Sequence, residues 1–420
     1  MQDAIQNSEV KLFSGEFIGI LWLHFLAMGS FGIYYFLPQF IRLTGGTEFV
    51  IGLIMGAPAA AALFFRLPTG GWVDRYGRRR MVITGLGLLT LASVLPVFAQ
   101  KAGIYLMLAR AGAGATMVIY FTAIVTYVAE KAPPGRRAEA VAVYGAAGFM
   151  AQALSPFLCE WLLAALPFEP AHRYRLLFGG AALCCASAFL VSLRMPPDAN
   201  HHEQHLDPDA WHRVLRSPTM LYLLIPSIVF GTAYTAVFSF VTDFSAVKHL
   251  GAPSSFFLSY SVTVILLRLT TGRWLDRIDR RIVIILSLGI IAVGLFAASS
   301  AHDSLGLVWV GVLTGTGHGY IFPSLSTLTF DSAQARNRGT SLALYMLGFD
   351  LSSMSMSPVL GRIAEVWDYY SMYKLASLLL ASGMLVYLTG WRYHAPLAIR
   401  RSSLGQHPTE EYIKNPGVIR

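Results

Sequence analysis

The chain has 420 residues, of which 55% are hydrophobic and 13% are charged, and its mean hydropathy is +0.54. Soluble domains carry about 25% charged residues, so this composition excludes an ordinary soluble protein and indicates one that lies in a lipid bilayer. The formal net charge of +9 does not indicate nucleic acid binding, because the basic residues fall in short segments between apolar runs.

The apolar runs are each long enough to cross a bilayer, which takes about 20 residues, and they form two sets of six. They lie at about 17–43, 49–72, 80–99, 103–130, 138–165 and 173–195, then at about 218–245, 250–274, 281–301, 304–331, 338–364 and 370–394. The run from Phe17 is too long for a signal peptide, so we expect it to be the first span. The sequence therefore predicts an all-α membrane protein with twelve transmembrane helices in two six-helix halves.

This pattern divides the chain into four parts. We expect an N-terminal half at 1–195, a linker at 196–217, a C-terminal half at 218–394 and a tail at 395–420. The linker is polar and contains a histidine cluster, which we expect to be solvated because nothing fixes the geometry of a metal site. These histidines are His201, His202, His205 and His212. Cys159, Cys184 and Cys185 lie in apolar runs without metal-ligand or disulfide spacing, so we expect no metal and no cofactor.

The basic residues are concentrated on one side of the predicted membrane. That side holds Arg75, Arg78, Arg79, Arg80, Lys131, Arg136, Arg137, Arg194, Arg213, Arg216, Arg273, Arg277, Arg280, Arg281, Arg336 and Arg338, and the other side holds far fewer. The positive-inside rule therefore predicts that both termini are cytoplasmic.

One motif occurs once in each half. The residues Arg66 to Arg80 read R-L-P-T-G-G-W-V-D-R-Y-G-R-R-R, and Arg268 to Arg281 repeat the arginine, glycine, tryptophan and aspartate. Arg66 and Arg268, Gly70 and Gly272, and Asp74 and Asp276 each differ by 202 in residue number. Ser155-Pro156 and Ser357-Pro358 differ by the same amount. Such repetition between halves is typical of secondary transporters with a central site.

The first copy, Gly70-x-x-x-Asp74-Arg75-x-Gly77-Arg78-Arg79-Arg80, resembles the motif between the second and third helices of the major facilitator superfamily. Leu106-x-x-x-Arg110-x-x-x-Gly114 is similar to the fourth-helix motif of its drug:proton antiporter branch. The second copy has Asp279 where the family has glycine, and Ser155-Pro156 replaces the branch's Gly-Pro pair. The resemblance covers about Phe17 to His394.

The resemblance implies a charged latch that closes the cytoplasmic side when the transporter is open to the outside. The latch residues that it implies are Gly70, Asp74, Arg75, Gly77, Arg79, Glu130, Arg137, Gly272, Asp276, Arg277, Asp331 and Arg338. The glycines also permit close approach of helices. The alternative is that these arginines only set the orientation in the membrane.

Ionisable residues far from the predicted helix ends are costly in a membrane and are candidates for function. Asp350 is the carboxylate that the sequence places clearly at mid-membrane. Arg66 is its most plausible partner because the two residues are expected at a similar depth in the membrane. A permanent structural ion pair is an equal alternative to proton coupling. Arg110, which the resemblance links to coupling, and His318 are further proton-coupling candidates, and Arg268 is a second intramembrane arginine. Tyr34, Gln152 and Tyr345 are candidates for lining the substrate cavity.

The sequence predicts a proton-driven exporter of a small organic molecule in a bacterial inner membrane. No Gly-Lys-Ser/Thr motif is present, so an ion gradient is the expected energy source. The alternatives are an uptake symporter for a nutrient and a non-transporting scaffold or sensor. An enzyme is disfavoured because no nucleophile–base pair appears. The expected partners are the substrate, protons and lipid, with no nucleic acid, and the expected state is a monomer.

Overall fold

The computed structural model describes residues 13–133, 136–198, 210–275, 278–333 and 338–402. Its helices in chain order are α1 (Gly15–Ile33), α2 (Leu37–Leu43), α3 (Glu48–Tyr76), α4 (Arg78–Val94), α5 (Ile104–Lys131), α6 (Arg137–Ala165), α7 (Pro170–Ser192), α8 (Ala210–Leu215), α9 (Pro218–Phe238), α10 (Val241–Lys248), α11 (Ser254–Leu275), α12 (Arg280–Ala298), α13 (Ser304–Ser332), α14 (Arg338–Val366) and α15 (Tyr369–Ser402). The described chain is thus an all-α bundle, as the sequence predicts. The last helix continues past 394, into the stretch that we assigned to the tail.

Eleven spans within the described residues are long and apolar enough to cross a membrane. The first span combines α1 and α2, which a short 3-10 helix at Tyr34–Phe36 connects. The twelfth predicted span, α14, has 29 residues and is long enough, but it is rich in serine and contains Asp350. Those polar residues lower its hydropathy, and packing against α3 and α9 accommodates them.

We call the end of the bundle where the chain passes from α7 to α9 the linker end, and the opposite end the distal end. At the linker end, Gly77 connects α3 to α4 with a φ of 96°, a conformation that favours glycine. The guanidinium of Arg79 donates to the carbonyl oxygens of Leu193 (3.1 Å) and Met195 (2.6 Å). The carboxylate of Asp198 accepts from the backbone N–H of Arg79 at 3.3 Å. The start of the linker is therefore fastened to the N-terminal half.

The two halves contact each other most extensively along two pairs of helices, α3 with α14 and α6 with α11, and additionally through α2 and α10. In the first pair the backbones approach closely toward the distal end. A Cβ added to Gly52 would lie 2.3 Å from the carbonyl oxygen of Ser357, and one added to Gly361 would lie 2.3 Å from that of Glu48. Glycine is thus required where these helices touch, because any side chain would separate them.

Candidate functional site

An ion pair joins the two halves in the middle of the α3–α14 contact. Arg66 Nε lies 2.5 Å from Asp350 Oδ2. The structure therefore pairs Asp350 with the arginine that we expected from its depth in the membrane. The Asp350 side chain is 6% exposed and that of Arg66 is 18% exposed. Each charge therefore depends on the other for compensation, since water reaches neither of them freely.

The second intramembrane arginine, Arg268 of α11, has a different environment. Its guanidinium carbon lies 4.8 Å from the centre of the Phe149 ring of α6, a cation–π contact between the halves. Its Nη1 would be 3.0 Å from a Cβ at Gly145, so the guanidinium lies directly against the α6 backbone. Its Nε is buried and has no hydrogen-bond partner among the described residues. Arg268 thus carries a charge that the described chain does not balance.

His318 of α13 lies in an aromatic cluster near the middle of the bundle. Its Nδ1 shares a hydrogen bond with the hydroxyl of Tyr260. Its ring packs edge-on against Phe230 (4.9 Å between centroids), Tyr234 (5.8 Å) and Phe149 (5.9 Å). Phe149 therefore touches both Arg268 and His318, and it brings these two candidates into one neighbourhood.

The candidates for lining the substrate cavity occupy different positions. Gln152 accepts a hydrogen bond of 2.9 Å from the hydroxyl of Tyr35, and the ring of Tyr35 stacks on Phe257 of the other half at 4.7 Å. Tyr34 instead points into the N-terminal half and donates to the carbonyl oxygen of Ser93. Tyr34 lines a small cavity there together with Arg110, whereas Tyr35, the next residue of the 3-10 turn, faces the other half.

Tyr345 is also buried rather than lining an open cavity. It is 1% exposed, and its carbonyl oxygen accepts a 2.6 Å hydrogen bond from the hydroxyl of Ser227. Its ring lies 6.3 Å from that of Phe322. Tyr345 therefore belongs to the packing between α14 and its neighbours in this conformation.

Arg110 of α5 is buried inside the N-terminal half. Its guanidinium carbon lies 4.7 Å from the centre of the Tyr34 ring and 5.9 Å from that of Phe31. Its Nε has no hydrogen-bond partner within the described chain, and a cavity of about 20 Å³, roughly the size of one water, lies beside it. Arg110 is thus held by aromatic rings and is separate from the Arg66–Asp350 pair.

A polar network that the sequence analysis missed closes the distal end. Arg42 of α2 binds the carboxylate of Asp243 in α10 through two hydrogen bonds, of 2.7 and 2.6 Å. The same carboxylate accepts from the hydroxyl of Tyr369, and Arg42 also contacts Glu48 at 2.7 Å. Arg42 and Asp243 each lie close to the end of an apolar run, so only their spacing of 201 residues, near the repeat length, could have suggested a relation.

Three further residue pairs join the halves at the distal end. The carboxylate of Glu160 in α6 accepts from both the backbone N–H and the hydroxyl of Ser254, at the start of α11. Gln39 donates to the carbonyl oxygen of Thr242 at 2.9 Å, and the hydroxyl of Thr242 donates to the carbonyl oxygen of Tyr35. Among the described residues, polar contacts between the halves are therefore concentrated at the distal end.

At the linker end, the described charge contacts of the latch candidates stay within one half. Arg78 connects Asp74 (3.3 Å) to Glu130 (2.9 Å), and Arg280 pairs with Asp331 (2.7 Å) in the C-terminal half. Arg78 and Arg280 differ by 202, so each half repeats the same connection. Arg78 was not among our latch candidates, although its spacing of four residues from Asp74 on a helix favours a contact.

The other latch candidates do not bridge the halves in the described residues. Arg75 lies over the Tyr76 ring at 5.5 Å, and a Cβ at Gly70 would meet nothing within 4 Å, so the close approach expected there is not made in this conformation. Arg137 and Arg338 begin α6 and α14, and Gly272 lies within α11. Asp276 and Arg277 fall outside the described residues, as do His201, His202 and His205 of the linker.

Comparisons with known proteins are consistent with this fold. The family model described as the Major Facilitator Superfamily matches residues 20–266 and 254–411. The chain belongs to the major facilitator superfamily. It is 25% identical over 399 residues to an uncharacterized MFS-type transporter of Pseudomonas aeruginosa, covering 90% of this chain and 94% of that protein. It is 26% identical over 368 residues to the probable nitrate/nitrite transporter NarK2 of Mycobacterium tuberculosis, covering 82% of this chain and 86% of that one.

Solved structures share the fold of this MFS protein. The nucleoside transporter NupG superposes with a TM-score of 0.71 at 14% identity, over 90% of this chain and 99% of that chain. The human organic anion transporter MFSD10 superposes with a TM-score of 0.68 at 14% identity, over 89% and 100%. This MFS protein is therefore a multi-pass membrane protein of a family of secondary transporters.

Proposed function

We propose that this MFS protein exports a small organic molecule by proton antiport from a bacterial cytoplasm. The observation that carries the proposal is the Arg66–Asp350 ion pair, which connects the halves at the depth of the membrane interior. Intramembrane ionisable pairs of this kind mark ion pathways in transporters. In the proposed orientation the linker end and both termini face the cytoplasm.

Protonation of Asp350 supplies a physical route to coupling. A neutral carboxyl group no longer compensates the charge of Arg66, so the ion pair that holds α3 against α14 weakens. The halves are then free to rearrange, and release of the proton restores the contact. One proton bound and released in each cycle thereby ties the movement of the halves to the proton gradient.

The distribution of contacts supports assigning this structure to the state open to the cytoplasm. The Arg42–Asp243 and Glu160–Ser254 contacts hold the halves together at the distal end. Among the residues that the structure describes at the linker end, the Asp74–Arg78–Glu130 and Arg280–Asp331 contacts each lie within one half. The latch would form in the opposite state, where Asp74 and Gly70 meet the other half.

Import by symport is the second candidate, since the same ion pair serves either direction. The name of NarK2 refers to nitrate and nitrite, which supports a cargo with negative charge without indicating its direction. The direction in which protons move when cargo is added separates the two candidates. A scaffold or sensor would move no protons at all.

Inside-out vesicles containing a pH-sensitive dye test the proposal. We expect one member of a panel of organic anions, cations, sugars and amino acids to release protons from energised vesicles containing the wild type. Asp350→Asn is expected to abolish this release. Asp303→Asn, which removes a charge that caps α13 at the distal end, is the matched control and should transport normally. Proton-dependent transport that persists in Asp350→Asn would refute the assigned role.

A further inference from the structure

We propose that Arg268 is the anchor of an anion-binding site between α6 and α11, and that its ligand is a small organic anion with an apolar body. We take this anion to be the transported cargo, and only that identification rests on the proposed function. Binding itself can be measured without transport. Three features of the described residues carry it: an unbalanced charge, a guanidinium with free donors, and an aromatic surface beside it.

The first feature is the charge balance in the middle of the bundle. Arg66 and Asp350 neutralise each other, whereas Arg268 has no carboxylate partner in the part of the chain that the structure describes. The described carboxylates of α6 and α13 are at helix ends: Glu139 pairs with Arg136, Glu160 binds Ser254, and Asp331 pairs with Arg280. An uncompensated guanidinium inside a membrane protein is costly, and a bound anion removes that cost.

The second feature is the geometry of the guanidinium. Arg268 rests against the Phe149 ring and against the α6 backbone at Gly145, where a side chain would exclude it. The cation–π contact fixes the plane of the guanidinium without using its N–H groups. Those groups remain available for two parallel hydrogen bonds to a carboxylate or another planar oxyanion, the geometry that arginine recognises best.

The third feature decides between an inorganic and an organic anion. Phe149 continues into a set of rings contributed by the C-terminal half, through its contacts with Tyr260 (6.4 Å) and His318 (5.9 Å). Phe230 and Tyr234 complete this surface around His318. A small hydrated ion gains nothing from such a surface, whereas an aromatic or aliphatic body attached to the anionic group buries apolar area against it.

The position of the site explains how an anion would affect both halves. Phe149 and Gly145 belong to the N-terminal half, and Arg268, Tyr260 and His318 belong to the C-terminal half. An anion held by Arg268 against Phe149 therefore touches both halves at once. Occupancy would change the contacts between α6 and α11, one of the two helix pairs through which the halves pack.

Binding to the purified full-length protein in nanodiscs tests the site. The probes are benzoate and its uncharged counterpart benzamide, which share a body and differ in charge, with nitrate as an anion lacking an apolar body. We expect benzoate to bind and to raise the Tm of the wild type, and benzamide and nitrate to bind at least about 10-fold more weakly. Equal binding of benzoate and benzamide would overturn the proposal, and preference for nitrate would overturn its apolar part.

Variants identify the residue. Arg268→Gln is expected to weaken benzoate binding about 10- to 100-fold and to leave benzamide unchanged, because a charged hydrogen-bond donor is lost. Arg268→Lys keeps the charge without the paired donors, so its affinity for benzoate should lie between those of the wild type and Arg268→Gln. Arg362→Gln is the matched control, since Arg362 is largely exposed near the distal end, and should bind like the wild type. Wild-type binding of benzoate by Arg268→Gln would refute the site.

The unliganded stability separates binding from a structural role. Since Arg268 has no described ion-pair partner, Arg268→Gln should unfold at the same temperature as the wild type, or higher. A large fall in Tm together with unchanged relative binding of benzoate and benzamide would show that Arg268 is structural. Binding of benzoate without any proton movement would contradict the proposed function and leave the site standing. Proton-coupled transport of an uncharged compound would support the proposed function and contradict the anion-binding site.

Discussion

Arg42 and Asp243 hold the two halves together at the distal end through a paired contact, with Nε–Oδ1 at 2.7 Å and Nη2–Oδ2 at 2.6 Å. The Asp243 side chain is fully buried, whereas that of Arg42 is 34% exposed. The hydroxyl of Tyr369 donates to the same carboxylate. A buried carboxylate with these partners cannot lose them without cost, so the contact favours the closed distal end.

Asp243→Asn is expected to open the distal end. Removing one charge of a buried pair typically costs about 3–5 kcal/mol, and this cost falls on the closed state. The measurement uses a variant whose three cysteines are replaced by alanine and which carries Phe238→Cys, a position buried between the halves. An impermeant maleimide added at the distal side should label this cysteine at least about 10-fold faster when Asp243→Asn is present.

The control for this experiment is Asp303→Asn, which alters a distal carboxylate that only caps α13. In this control, the cysteine at position 238 should be labelled at the same rate as in the parent variant that retains Asp303 and Asp243. Equal labelling in Asp243→Asn and the parent would show that the Arg42–Asp243 contact does not determine closure.

The ion pair between Arg66 and Asp350 leads to a prediction about thermal stability. Asp350→Asn alone leaves Arg66 without compensation, which typically costs about 3–5 kcal/mol, whereas removing both charges avoids that penalty. We therefore expect the Tm of purified Asp350→Asn to fall well below that of the double variant Arg66→Gln/Asp350→Asn. A double variant as unstable as the single one would show that the two residues contribute independently.

Two glycines of α5 form a matched pair. A Cβ at Gly114 would lie 2.2 Å from the carbonyl oxygen of Pro58, whereas one at Gly112 would come no closer than 3.8 Å to Ala92. Gly114→Ala should therefore destabilise the protein by about 1–3 kcal/mol through overpacking against α3. Gly112→Ala should be neutral or stabilising by up to about 1 kcal/mol, because alanine favours helix. Thermal unfolding in detergent compares them, and equal shifts would contradict the packing argument.

Asp74→Asn tests the latch. In this conformation Asp74 makes a partly exposed contact with Arg78, so its loss should change stability by less than about 1 kcal/mol. If Asp74 forms the latch in the opposite state, the transport rate should nevertheless fall about 10-fold. A 10-fold change corresponds to a free-energy difference of about 1.4 kcal/mol. Glu139→Gln, which removes an exposed contact with Arg136, is the control. Wild-type transport by Asp74→Asn would remove it from the latch.

The fold could be predicted from the sequence because its signals are local and repeated. Apolar runs of sufficient length fix the helices, and the separation of 202 residues between Gly70 and Gly272 reveals two related halves. α14 was predicted in spite of its serines and Asp350, because the apolar run at about 338–364 is long enough to cross a membrane. The depth of Arg66 and Asp350 along α3 and α14 was enough to suggest their contact.

The details of the site depend on information that hydropathy does not contain. The 3-10 turn at Tyr34–Phe36 places Tyr34 toward the N-terminal half and its neighbour Tyr35 toward the other half, which the apolar pattern does not specify. The Arg42–Asp243 contact joins residues near span ends, where charges are common and usually solvated. Arg268 resembles Arg66 in sequence, and only the placement of Phe149 and the absence of a described carboxylate distinguish them.

The unequal exposure of Arg42 and Asp243 has a consequence for how the protein responds to its surroundings. Water and ions beyond the distal surface can reach the guanidinium, but they cannot reach the carboxylate behind it. Ionic strength on that side alone therefore screens the attraction, over a Debye length of about 8 Å at 0.15 M salt. The solution at the distal end thereby sets how tightly that end stays closed, while the solution at the linker end has no direct access to the same contact.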